Sequence, residues 1–307
     1  METTISPDKT GQGIITILFS VLLMAFTDAL VKLLSSDLTI WQIFFARALF
    51  AIPLMLLTLR LGRSRFALQS LHWVVLRSLL LILTWLAFYA ALPVLSLSVA
   101  AVAVYTNPII TALLSALVIG EPVTKRQWGG VLLGFLGVVA ILRPGSDAFS
   151  WITLLPLLAA ACYSGAMVLT RHKCREETPI TLAIGLQAAF FITGFIGTGV
   201  LALLHLSPET IEIFPFLLND WQEMGGGGWG LMALLGTLSA IYFVGVARAY
   251  QIAAPSIIAT FDYGYLVFAA VWGFVFFGEA PDRLTLCGML LITCAGLLVA
   301  IRPAKAE

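Results

Sequence analysis

Long apolar runs alternate with short polar interruptions along the whole chain. A helix that crosses a bilayer needs about 20 predominantly apolar residues. Runs of that kind fall at approximately 14–34, 41–60, 71–91, 96–119, 127–142, 151–170, 180–204, 229–250, 255–277 and 284–301. The pattern predicts an all-α integral membrane protein with ten transmembrane helices. Most connections are short. The exception, 205–228 ("HLSPETIEIFPFLLNDWQEMGGGG"), carries four acids and no Lys or Arg. Its middle is expected at the membrane interface as a short amphipathic segment, and its four glycines as a flexible joint.

Composition points the same way. Of 307 residues, 60% are hydrophobic and 11% charged, whereas a soluble domain is about a quarter charged. The net charge of +1 argues against nucleic acid as a partner and leaves the lipid bilayer and a small-molecule substrate. No C-x-x-C pair or H-E-x-x-H occurs, so neither a metal nor a cofactor is expected. The four cysteines, Cys162, Cys174, Cys287 and Cys294, are too scattered for a disulfide framework and read as small apolar core residues. The N-terminus lacks the basic start of a signal peptide, so the first run reads as a retained span.

Ten spans place both termini on one side, and basic residues choose the side. The N-terminus, the even-numbered connections and the C-terminus hold twelve of the seventeen Lys and Arg residues, against Arg143 and Arg283 in the odd-numbered connections. Both termini are expected in the cytoplasm of a cell whose plasma (inner) membrane holds the protein.

The chain also repeats itself. Residues 104–144 match 262–303: each copy ends a span in Gly-Glu (Gly120-Glu121, Gly278-Glu279), has a glycine nine residues later (Gly130, Gly288) and closes on Arg-Pro. Each repeat spans five helices, an odd number, so the second must enter the membrane from the opposite side. The boundaries are 14–143 and 152–302. This duplicated set, with "TDALVKLLSS…WQIFFARALF" in the first two spans, resembles the EamA domains of the drug/metabolite transporter superfamily. The resemblance implies a carrier of two inverted five-helix repeats with cytoplasmic termini, moving small metabolites, often amino acids outward.

Ionisable groups inside spans are costly and mark function by default. Two sets emerge. Asp28 and Lys32, spaced i,i+4 on one helical face, lie toward the outer end with Arg47. Arg77, Arg248 and Asp262 lie toward the inner end. Each set is expected to close one end of the pathway when its ion pair forms, with Arg77 and Arg248 as gating candidates. The offset of 158 aligns Asp262 with Val104 and Tyr265 with Asn107. The stripes Asn107/Thr111/Ser115 and Asp262/Tyr265/Ala269 each form one helical face, placing Asn107 and Tyr265 on a cavity. Pro108 frees a carbonyl and is expected to bend its helix into a gating joint. Trp85 and Tyr89, i,i+4 on the third span, with Tyr105, Tyr163 and Tyr242, supply aromatic walls. Gln187, deep in the seventh span, falls opposite Arg47 in the repeat. Glu121 and Glu279 are read as structural acids favoured at the start of the following helix.

"TFDYGY" is no potassium filter, because it continues as a full span. Asp28 in "FTDAL" lacks the G-x-G-D context of a membrane aspartyl protease. The function expected is a secondary transporter, not an enzyme, that exports amino acids or similar metabolites by alternating access. Proton coupling through Asp28 or Asp262 is open to it, and the small residues permit packing against the same chain or another. One alternative is an importer of an anionic or vitamin-like metabolite bound by Lys32 and Arg47. A membrane-embedded lipid-modifying enzyme is the other, and would want clustered acids or histidines; His72, His172 and His205 stand at separate span ends.

Overall fold

The computed structural model describes residues 10–62, 65–119, 125–142, 151–252, 258 and 261–300. Gly120, Glu121, Arg143 and Arg302, which anchor the repeat, lie outside the described residues, as do Lys9, Arg63 and Lys305. Among the described residues the chain is helical, with no strand. The first half runs α1 (Thr10–Leu34), α2 (Ile40–Arg60), α3 (Leu71–Ala91), α4 (Leu97–Val104), α5 (Asn107–Ile119) and α6 (Lys125–Leu142). The second opens with a 3-10 turn (Trp151–Thr153) and runs α7 (Leu154–His172), α8 (Pro179–Leu204), α9 (Pro208–Ile213), α10 (Pro215–Leu218), α11 (Gly226–Ile252), α12 (Gly264–Phe277) and α13 (Arg283–Ala300). Six of these, α1, α2, α3, α7, α8 and α11, are long and apolar enough to cross a membrane.

Local chemistry sets the starts. Thr39, Ser96 and Thr178 cap α2, α4 and α8, each hydroxyl accepting the backbone N–H three residues on. This satisfies one of the donors that a helix N-terminus leaves open. Gly278 closes α12 at φ +67°, a left-handed conformation that needs no Cβ.

The run 96–119 is two helices. The chain breaks at Tyr105–Thr106 between α4 and α5. Pro108 therefore lies in the first turn of α5, where its missing N–H removes no internal bond, and not at a bend inside a continuous span. A matching interruption stands at Tyr263, a turn between helical Phe261–Asp262 and α12. The glycines expected to form a joint do otherwise: Gly226, Gly227 and Gly228 open α11. The long apolar helix that they begin packs against α2, and that docking outweighs their poor helix propensity.

Helices of the two halves interleave. α2 packs on α8 and on α11, α3 on α7 and α8, α1 on α11 and α12, α7 on α4 and α5, and α6 on α13. The 205–228 connection is fastened to the start of α2. The Trp41 indole donates to the Leu217 carbonyl at 2.8 Å. The Gln42 amide pairs with the backbone of Gln222 through bonds of 2.6 and 3.1 Å. At the other end of α2, buried Glu177 accepts from the Gln69 and Ser70 N–H groups at 2.9 and 2.8 Å, and its carbonyl accepts from Gln251 at 2.7 Å. Glu177→Ala leaves the Gln69 and Ser70 N–H groups open, while the backbone carbonyl still accepts from Gln251. It should cost about 1.5–3 kcal/mol, the range for hydrogen bonds to a charged group, read as a lower thermal midpoint in detergent, with Glu177→Gln in between.

The cysteines divide. Cys174 is buried beside Arg77, and burial pushes its thiol above the ordinary value. Cys287 and Cys294 are exposed on α13, not in the core, because α13 buries a different face against α6.

Candidate functional site

A cavity with about 370 Å³ of atom-free space lies between the helix break at Tyr105 and the middle of α1 and α3. Its wall includes Asp28 and Met24 from α1, Thr84, Trp85 and Phe88 from α3, Val104, Tyr105 and Asn107 around the break, Tyr163 from α7, and Tyr265 from α12. Half of the wall residues are aromatic, with few polar tips, a lining that suits an organic solute.

Asp28 is fully buried. Its Oδ1 accepts from the Tyr89 hydroxyl at 2.8 Å and its Oδ2 from Tyr265 at 2.6 Å. Arg47, also fully buried, donates through Nη1 to the Tyr89 hydroxyl at 3.3 Å. Its guanidinium carbon stands 4.0 Å from the Phe190 ring centroid, with Phe44 and Tyr89 at 5.2 and 5.7 Å, a cation–π enclosure. Asp262, fully buried, accepts from Tyr105 at 3.3 Å and from Tyr250 at 3.1 Å. The Tyr105 and Tyr265 rings stack at 5.0 Å, so two aspartate–tyrosine networks meet at one ring pair beside the cavity.

Several expectations need correction. Asp28 and Lys32 do not join Arg47 in one ion-paired set. Lys32 bonds Glu279 at 2.5 Å and the Leu95 carbonyl at 2.8 Å, over the Phe277 ring at 5.0 Å. The long lysine stem reaches the loop ahead of α13, while Asp28, one turn deeper, is filled by tyrosines. Glu279 does not serve the start of α13. Asp282 caps that helix through the Thr285 N–H at 2.8 Å, and Glu279 turns back to Lys32 and accepts the Leu97 N–H at 2.9 Å.

The inner set does not pair either. Arg77 donates to the Thr170 hydroxyl at 2.6 Å and the Leu182 carbonyl at 3.4 Å, Asp262 is held by tyrosines, and Arg248 is exposed. Arg77 faces α7 and α8, whereas Asp262 faces α4 and α11. The turn at Tyr263 also separates Asp262 from Tyr265, so the two are not one unbroken helical face and join different networks.

Asn107 lies on the cavity wall, and its carbonyl accepts from Ser164 at 2.9 Å. Gln187 donates to Ser239 at 2.8 Å. Tyr242 packs in the ring cluster of Trp85 and Phe243 beside Arg47. Tyr250, Thr84 and Phe190 went unnoticed in the sequence. Tyr250 closes a span, and the pairing that gives it weight lies across a chain reversal.

Mostly buried, at 12% and 24% side-chain exposure, the Lys32–Glu279 pair should contribute more than a surface pair. A double-mutant cycle with Lys32→Met and Glu279→Gln is expected to give a coupling energy of about 1–2 kcal/mol in thermal unfolding. Additive single effects would mean that the pair is not a tie.

Six helices long and apolar enough to cross a bilayer, with a cavity walled by α1, α3, α4, α5, α7 and α12, define a multi-pass membrane protein. The EamA-like transporter family model matches residues 11–143. The chain is 30% identical over 274 residues to a riboflavin transporter of Rhizobium johnstonii, covering 89% of this chain and 83% of that one. It is 26% identical over 291 residues to the pseudopaline exporter CntI of Pseudomonas aeruginosa, covering 94% and 95%. It is 22% identical over 294 residues to an S-adenosylmethionine uptake transporter of Rickettsia prowazekii, covering 95% and 94%. A crystal structure shares the fold at TM-score 0.65 and 16% identity, over 94% of this chain and 98% of its own. The chain belongs to the EamA-like transporter family of the drug/metabolite transporter superfamily. Its relatives include both an exporter and uptake carriers.

Proposed function

We propose that the protein is a secondary carrier that moves a small metabolite across the bacterial inner membrane by alternating access, with amino-acid export as the first assignment. The observation that carries this reading is the cavity beside the two aspartate–tyrosine networks. Enclosed polar groups at membrane depth are costly unless they serve a solute.

Two inverted repeats, over 14–143 and 152–302, are supported by matched features. The breaks at Tyr105–Thr106 and at Tyr263 fall at equivalent positions under the offset of 158. Interrupted helices with their ends at a midplane site are a recurrent carrier device. Exchanging the halves also maps the pair α3–α7 onto α11–α1, and α2–α11 onto α8–α3, while α2–α8 and α6–α13 map onto themselves. The charge distribution supports cytoplasmic termini.

The gates are read as ties that close on backbone groups, with Lys32 paired to Glu279 in place of the two ion-paired sets expected above. Lys32–Glu279 joins the end of α1 to the start of α4. Glu177 joins the start of α3 to the connection between α7 and α8. They lie toward opposite ends of α2, whose 21 residues span about 30 Å. Both ties are made in this structure, and alternating access would release one at a time. Asp28 and Asp262 are the groups through which a proton would couple.

An importer of an anionic or vitamin-like metabolite is the second reading, favoured by the uptake relatives. Lys32, committed to Glu279, is not its anion ligand. Counterflow in proteoliposomes preloaded with twenty amino acids, riboflavin and S-adenosylmethionine, with and without a pH gradient, tests both. Exchange of amino acids supports the first reading, and exchange confined to the vitamin or the nucleoside replaces it. Silence from folded protein across the panel removes both.

A further inference from the structure

Three stretches of chain meet at one end of the bundle, and Glu177 is the junction that holds them. Its carboxylate takes the Gln69 and Ser70 N–H groups ahead of α3, and its carbonyl takes Gln251 near the end of α11. Beside it, the Thr178 hydroxyl donates to the Arg65 carbonyl at 2.8 Å. The junction draws to this end basic side chains that are far apart in sequence: Arg65, His72, Lys173, Arg175 and Arg248, all exposed. Among the described residues none of them pairs with a carboxylate, and Glu176 is the exposed acid of the 173–178 connection.

Trp73 is the fixed point of this cluster. Its indole packs on Val74, Cys174, Leu182 and Ala247, from α3, the α7–α8 connection, α8 and α11. The Lys173 ammonium stands 5.5 Å from the indole centroid, and the His72 ring stands 4.7 Å from the same indole. The His72 Nδ1 meets the Ser70 hydroxyl at 3.0 Å. With that hydroxyl donating, the imidazole proton sits on Nε2, a donor with no partner among the described residues.

An apolar track begins at the same place. Leu71, Val75, Leu79 and Leu83 are exposed at four-residue spacing, on one broad face of α3. From Leu71 to Leu83 the helix rises about 18 Å, a little more than half of a hydrocarbon core of about 30 Å. Unpaired positive charge at the head of a stripe one leaflet deep matches one chemistry, a phosphate ester that carries acyl chains. An aqueous anion would use the charges and leave the stripe bare. A zwitterionic lipid would bring its own cation against the lysine.

We propose that His72, Trp73 and Lys173 form a seat for an anionic glycerophospholipid. The phosphate takes its bonds from the Lys173 ammonium and from His72 Nε2, and Arg65 and Arg175 add to the field around it. One acyl chain runs down the leucine and valine stripe of α3. His72 belongs to the first half of the chain and Lys173 to the second, so the head group spans the junction that Glu177 closes. The seat is separate from the cavity and stands whatever cargo is carried.

The test uses the full chain, delipidated in a nonionic detergent and titrated with phosphatidylglycerol or phosphatidylcholine of the same acyl chains. Native mass spectrometry counts bound lipid, and the thermal midpoint is followed in parallel. Phosphatidylglycerol should be retained about 10-fold more than phosphatidylcholine at equal concentration. It should also raise the midpoint, because it binds the folded state. Lys173→Gln should weaken that retention about fivefold, the effect of one charge at a lipid surface. Lys173→Gln with His72→Gln should erase the preference. Both residues are exposed, so these variants keep the fold, which the midpoint without lipid checks. Lys125→Gln removes a charge at the start of α6, which packs on α13 and α5, and should leave retention unchanged. Equal retention of the two lipids overturns the proposal, as does an equal loss in the Lys125 and Lys173 variants. Displacement of phosphatidylglycerol by an equal concentration of glycerol 3-phosphate would assign the seat to a free phosphate ester and overturn the lipid.

Discussion

Asp28→Asn is expected to cut transport by about 100-fold or more while the protein still folds. The two tyrosine hydroxyls that serve Asp28, at 2.8 and 2.6 Å, both donate. Asn offers one carbonyl oxygen to Tyr89 or Tyr265 and turns an NH2 toward the other, so one donor faces a donor. The nearest negative charge to Arg47 is lost as well. Removing one member of a buried hydrogen-bonded charge network costs about 2–5 kcal/mol, and each 1.36 kcal/mol is about tenfold. Asp28→Glu, which keeps the charge on a longer stem, should retain partial exchange. Tyr265→Phe, which removes one neutral donor, should lose only about fivefold. The check is initial counterflow rate per mole of monodisperse protein. A fully active Asp28→Asn variant would place the coupling or binding carboxylate elsewhere, with Asp262 next.

Gly236→Ala should be among the most damaging single methyls in the bundle. A Cβ at Gly236 on α11 would meet the Arg47 carbonyl oxygen at 2.5 Å, Phe50 Cβ at 2.8 Å and the Ala51 nitrogen at 3.1 Å. Two of these are backbone atoms of α2, which cannot swing aside. The helices must part, drawing Arg47 from Tyr89. Gly194 on α8 makes the same kind of approach, to the Trp41 carbonyl and the Phe45 nitrogen, both at 2.5 Å. Overpacking of this kind costs about 1–3 kcal/mol, and for a chain of this size the thermal midpoint should fall by roughly 5 °C. Gly199 on α8 and Gly230 on α11 have nothing within 4 Å of a Cβ. Their alanine variants should hold or raise the midpoint, since Ala is the better helix former by about 0.5–1 kcal/mol. Equal losses at all four glycines would show that general helix flexibility, and not close approach, governs the effect.

These two results would also separate what is local from what is not. The apolar runs made α1, α2, α3, α7, α8 and α11 legible in advance, because a span is a property of about 20 consecutive residues. The duplicated stretch around Tyr105 and Tyr263 was legible too, and aligned residues that both turn out to interrupt a helix. Asp28 and Arg47 could be nominated from burial cost, Tyr89 and Tyr105 as aromatic walls, and Tyr265 from the repeat stripe. Their partners could not. The i,i+4 spacing of Asp28 and Lys32 sees only one helix, whereas Lys32 meets Glu279 from 247 positions away and Asp28 meets Tyr265 from 237.

Sequence by itself determined that this chain is a helical membrane protein, where its long apolar runs lie, and which rare polar groups fall within or beside them. Tertiary structure alone decided which polar group each of them meets. It gave Asp28 two tyrosines in place of a lysine, and left Arg77 with a threonine. The reason is geometric. Periodicity reports which face of a helix is buried, but not the rotation and depth at which another helix, from the other half of the chain, is laid against it.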